Sequence, residues 1–138
     1  MNSGLTSSSD RSEPTLPNLV CNNASFEDVK SRLEETTDID EVDFKGWSGL
    51  HWALVREVDA VIDLLLDSGA NPNLPTGTGR IPLIIALRSG QADAVKLLLK
   101  AGADPNLRDG DGRTPIEAAK EGRYPELVKV LDEWSATT

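Results

Sequence analysis

The sequence predicts an all-α repeat fold, a solenoid of stacked helix-turn-helix units joined by β-hairpin loops. Two observations carry this. The first is period: Gly46, Gly79 and Gly112 are spaced by 33 residues, as are Leu50, Leu83 and Ile116, Ala53, Ala86 and Ala119, and Leu65, Leu98 and Leu131. The turn Gly69-Ala70-Asn71-Pro72-Asn73-Leu74 returns 33 residues later as Gly102-Ala103-Asp104-Pro105-Asn106-Leu107. One period held over so many positions without an insertion marks a repeat. The second is that a unit cannot cover its own apolar surface. The stretch from Asp93 to Ala101 carries Ala94, Val95, Leu97, Leu98 and Leu99, apolar over most of a helix circumference, and such a helix must be covered on several sides. Units of this size stack to supply that cover.

The elements follow in order. Residues 1–17 are rich in Ser, Thr, Asn and Pro, with Met1, Leu5 and Leu16 as their only sizeable apolar groups. They bury too little to offset the entropy of ordering them and are expected to form a flexible tail. Residues 18–41 read as a degenerate first unit. Ser25 precedes Phe26, Val29 and Leu33, with Asp28 three residues on, an N-cap and a short helix. Pro17 to Cys21 adds a short helix before it, and Asp38-Ile39-Asp40 stands 33 residues before Asn71-Pro72-Asn73. Residues 42–74 and 75–107 are two full repeats. In the second, Pro82 opens a short apolar helix, where its missing N–H is no loss. Gly90 breaks that helix, and Gly102 ends the next as a left-handed cap. Residues 108–138 form a capping repeat, because Glu117 replaces His51 and Ile84, and Asp132 replaces Leu66 and Leu99, at positions that would face a further unit.

The motifs Gly-Arg-Thr-Pro-Ile at 112–116, Gly-Arg-Ile-Pro-Leu at 79–83 and Ser-Gly-Leu-His-Trp-Ala at 48–53, with the two Gly-Ala-(Asn/Asp)-Pro-Asn turns, make the chain resemble the ankyrin repeat family over residues 24–134. The resemblance implies an ankyrin-type solenoid, an L-shaped stack of helix pairs with projecting hairpins. Ile81 and Gly49 stand where the family prefers Thr and Pro, and only His51 keeps the motif's histidine. These departures weaken hydrogen bonding where loop meets helix.

Composition bounds the function. The chain has 138 residues, one domain's worth, with 14 basic and 23 acidic side chains and a formal net charge of −9. So acidic a chain repels phosphate, which argues against general binding of nucleic acid or anionic membranes. Cys21 is the single cysteine, so no internal disulfide forms, and an intracellular location, cytoplasmic or nuclear, is expected. There is neither a signal-like apolar region nor a run long enough to span a membrane.

The chain is expected to have no enzymatic activity, cofactor or metal. Asp109-Gly110-Asp111-Gly112 has the look of a calcium loop, but Lys120 stands at its twelfth position instead of a carboxylate. Gly77-Thr78-Gly79-Arg80 lacks the Gly-Lys-Ser/Thr ending of a phosphate cradle. His51 has no nucleophile and orienting acid brought to it by the repeat register.

A recognition surface remains. In the resembled family, hairpin tips and first-helix ends line a concave face that carries partner contacts. Carried over by position, the partner-binding candidates are Phe44, Lys45, Trp47, Val55 and Arg56, then Arg80 and Arg88, then Arg108 and Arg113. The full set of concave positions holds six bases and two acids, whereas the rest of residues 24–138 holds seven bases and nineteen acids. That segregation points to an acidic segment of a partner protein, met by arginine forks, with Phe44 and Trp47 as aromatic anchors at exposed tips. Trp52 is expected to pack between repeats and Trp134 to cover the C-terminal end.

An alternative is an acidic rim of Glu34, Glu35, Asp38, Asp40 and Glu41 that holds a basic client, as a chaperone-like assembly factor would. The resemblance also implies that Asn73 and Asn106 occupy the hairpin position that asparagine hydroxylases modify. In isolation the chain is expected to be monomeric.

Overall fold

In the computed structural model, which describes residues 15–36, 38–122 and 124–137, the apolar stretches fold as helices only. They form four pairs: α1 (Leu16–Cys21) and α2 (Phe26–Glu35), α3 (Gly49–Arg56) and α4 (Asp59–Asp67), α5 (Pro82–Arg88) and α6 (Ala92–Lys100), α7 (Pro115–Glu121) and α8 (Glu126–Thr137). The first helices stack in the order α1, α3, α5, α7, and the second helices in the order α2, α4, α6, α8. The result is a two-layer solenoid in which each pair closes the apolar face of its neighbour.

Local chemistry sets each start. The hydroxyls of Thr15 and Ser25 accept the N–H groups of Asn18 and Asp28, capping α1 and α2. Ser48 with His51 and Thr114 with Glu117 form reciprocal capping boxes at α3 and α7. Helix α5 has no side-chain cap at Ile81 and relies on Pro82 in its first turn. There, Ile81 and Ile84 are buried against Ala118 and Leu107 instead, so an apolar cluster replaces the hydrogen bonds lost with Thr and His. Gly102 follows α6 with φ +106°, as a C-terminal glycine should.

One boundary needs correction. Leu16 and Pro17 do not belong to a tail: both are buried in α1. Leu16 lies against Gly49 at the start of α3, and its N–H donates to Glu41 Oε2 at 3.0 Å. With Leu19 and Val20 one turn on, Leu16 gives α1 an apolar face, and the stack offers it an uncovered helix end to pack on. Residues 1–14 of the proposed tail lie outside the described residues.

The connections between pairs are tight turns rather than strands. Among the described residues the only β-type pairing is a bridge between Val42 and Ser48. Each tip is closed by two backbone bonds: Asp43 N–H to Trp47 O with Gly46 N–H to Asp43 O, Thr76 N–H to Arg80 O with Gly79 N–H to Thr76 O, and Asp109 N–H to Arg113 O with Gly112 N–H to Asp109 O. Successive tips are laddered together: Gly77 N–H donates to Gly46 O at 3.1 Å, and Gly110 N–H to Gly79 O at 2.8 Å. A Cβ on Gly77 would stand 2.6 Å from Lys45 O, and one on Gly110 would stand 2.8 Å from Thr78 O, so glycine is required for this approach. A second ladder runs through the turns, where Asp40 Oδ1 accepts from Asn71 N–H (2.9 Å) and Asn73 Oδ1 from Asp104 N–H (2.8 Å).

The core is continuous along the stack. Leu50, Leu54, Ile62, Leu65, Leu83, Leu87, Leu98, Leu99, Leu127 and Leu131 are each at most 2% exposed. Trp134 packs on this core from α8, and Asp132 and Glu117 are exposed.

Candidate functional site

The tips and the ends of the first helices lie along one face, and the same polar anchor shapes each tip. Asp43 Oδ1 accepts the N–H groups of Lys45 and Trp47, Thr76 Oγ1 those of Thr78 and Arg80, and Asp109 Oδ1 those of Asp111 and Arg113. At the first tip the second oxygen, Asp43 Oδ2, receives the indole N–H of Trp52 at 2.9 Å. Burial works against the Asp43 charge, but the N–H donors of Trp47, Trp52 and Lys45, with the Lys45 charge, hold its carboxyl below the usual range.

That bond organises an aromatic cluster. The Trp47 ring lies 5.0 Å from Trp52 and 6.0 Å, edge-on, from His51. Trp47 is half-buried, a correction to its placement as an exposed anchor: its ring is held by its neighbours. Trp52 does pack inside the stack. Phe44 is the residue that projects, 94% exposed, with Lys45 Nζ 5.8 Å from its ring. Its register equivalents are Gly77 and Gly110, so the first tip alone carries a large side chain there.

A groove of about 160 Å³ opens beside this cluster. Trp47, Val55, Ile84 and Ile85 supply its apolar surface, and Arg80, Arg88, Asp109 and Asp111 its charges. The structure thus brings together Trp47, Val55, Arg80 and Arg88 from the sequence-based set. It separates the others. Arg56 donates to Asn23 Oδ1 at 3.2 Å, toward the N-terminal unit. Arg108 donates to Gly112 O at 2.7 Å, covering the last carbonyl of the glycine ladder, and stands 3.8 Å from Glu117. Arg113 pairs with Glu121 at 3.0 Å. The expected continuous basic face is therefore divided, because three of its five arginines are held locally. Arg80 and Arg88 are exposed and form no ion pair among the described residues.

Sequence reasoning missed Asp109, Ile84 and Ile85 as groove residues. Asp109 carried a signal, since it stands in register with Asp43. Ile84 was visible as the replacement for His51.

The rim acids are mostly occupied. Asp38 Oδ1 accepts from Asp40 N–H, Asp40 from Asn71 N–H and Glu41 from Leu16 N–H, while Glu34 and Glu35 are exposed on α2. Asn73 bridges to the following turn through Asp104 N–H and Gly102 O, whereas the Asn106 side chain is exposed. No helix among the described residues is long and apolar enough to cross a membrane.

A family model described as ankyrin repeats, three copies, matches residues 18–109. The glycine ladder reaches past that match, from Gly79 to Gly110. Period, capping boxes, laddered tips and this match agree: the chain belongs to the ankyrin-repeat family, a non-enzymatic fold whose members are protein–protein interaction modules.

Proposed function

We propose that the chain is a non-enzymatic adaptor, scaffold or inhibitor that receives an acidic segment of a partner protein on its concave face. The observation that carries this is the pair Arg80 and Arg88, which line a groove of apolar and charged residues and form no ion pair among the described residues. A guanidinium in that setting is free to meet a carboxylate through two parallel hydrogen bonds. Phe44 adds an anchor at the rim of the same face, and burying such a ring contributes about 1.5–3 kcal/mol.

The acidic N-terminal rim is the weaker site for a basic client, because Asp38, Asp40 and Glu41 already accept backbone N–H groups. Affinity capture with the full chain separates the two. Reversal of Arg80 and Arg88 to Glu is expected to abolish capture of the partner, and binding to weaken as salt rises. Reversal of the exposed Lys96 and Lys129 on α6 and α8 should leave it intact. Equal losses from both pairs would contradict the proposal, and loss only on neutralising Glu34 and Glu35 would favour the rim.

A further inference from the structure

The groove has two signs of charge, and its acidic wall is incomplete in a way the first repeat reveals. Asp43 and Asp109 are equivalent by register and anchor their tips alike, each Oδ1 taking two backbone N–H groups. Asp43 Oδ2 is satisfied within the chain by Trp52 Nε1. The residue in register with Trp52 at the third tip is Ala118, which has no donor, and Asp109 Oδ2 receives none among the described residues. Asp111 beside it is exposed, and its carboxylate forms no ion pair among the described residues. Arg80 and Arg88 line the same groove, and no ion pair joins them to Asp109 or Asp111 among the described residues.

The space is small. About 160 Å³ admits a side chain and falls below the roughly 300–1,000 Å³ of pockets that take drug-sized ligands. Ile84, Ile85 and Val55 give that side chain an apolar surface to rest on.

Resting on the reading of this groove as the partner site, we propose that its occupant is a linear segment of both charges: an apolar side chain seated in the groove, an acid on the Arg80 and Arg88 side, and a lysine or arginine that donates to Asp109 and Asp111. The partner's cation supplies at the third tip what Trp52 supplies at the first. An acid alone would leave the two aspartates facing its own charge, a like-charge arrangement that disfavours binding.

The test uses the full chain and a bead-displayed library of random nonapeptides, followed by titration of the enriched peptides. Enriched sequences are expected to carry an acid and a lysine or arginine around an apolar residue. R88E and D109N should each weaken them about tenfold or more, the loss expected for one partner of a charged pair. The D109N amide keeps the Oδ1 acceptor that its tip needs, and D111N is a second variant, at a carboxylate that holds no bond among the described residues. Acid-only peptides that ignore D109N and D111N but fail with R88E would overturn the two-charge occupant and leave the acidic-segment reading standing. Peptides indifferent to R80E and R88E as well, or no enrichment at all, would overturn both.

Discussion

His51 is the chain's only histidine and has no exposed surface. Its Nε2 lies 2.7 Å from Leu74 O, so that nitrogen carries the proton, and Nδ1 accepts the Ser48 N–H at 2.9 Å. Both ring positions are thus assigned to a neutral imidazole. Burial lowers its pKa, and the Leu74 carbonyl and the charges of Asp40 and Asp43 only partly oppose this. The unfolded chain takes up a proton near pH ~6.5, whereas the folded chain resists it to lower pH. The histidine-linked stability is complete above pH ~6.5 and falls as the pH drops below it. Urea titrations between pH 7.5 and pH 5.5 should show this loss, and H51Q should flatten it, since Gln at that position can still serve the capping box. A slope that survives H51Q would place the titration elsewhere. Gly77 makes a separate demand at this scale: G77A should cost about 1–3 kcal/mol by overpacking the ladder against Lys45 O. A melting temperature unchanged from wild type would refute that contact.

At the scale of elements, α1 is the one whose importance the sequence concealed. It has six residues, yet it packs on α3 and buries Leu16 completely. L16A is expected to destabilise the chain by about 2–5 kcal/mol, the range for a leucine removed from a core. Chemical denaturation measures it, and a change below about 1 kcal/mol, far under that range, would mean that α1 is peripheral. The central helices were legible because their apolar residues and glycines repeat. Ser25, read as an N-cap, caps α2, and Ser48 and Thr114, visible only as motif residues, cap α3 and α7. Leu16 stands in register with Gly49, Pro82 and Pro115, the first residue of each first helix, but shares its residue type with none of them, and only Leu19 and Val20 extend its apolar pattern. Its burial depends on Gly49 and Glu41, which only the folded stack brings to it.

For the whole molecule, the net charge of −9 describes no single surface. Many acids are spent inside turns, where Asp40, Asp43 and Asp109 organise backbone N–H groups, and the cations divide between local pairs and the groove. The concave face was legible because ankyrin register places its positions. Which arginines remain available there was not, because Arg80, Arg88, Arg108 and Arg113 look alike in sequence. They differ in reach: Glu121 lies within range of Arg113, and the Gly112 carbonyl within range of Arg108. The central claim is that partner contact occurs in the groove between Val55, Arg80 and Arg88. Site-specific photocrosslinking tests it most directly, with a photoreactive residue in place of Ser89 in the groove or Lys96 on α6. The expected result is a covalent adduct with the captured partner from position 89 that disappears with R80E/R88E, and none from position 96. An adduct from position 96 with none from position 89 would contradict it.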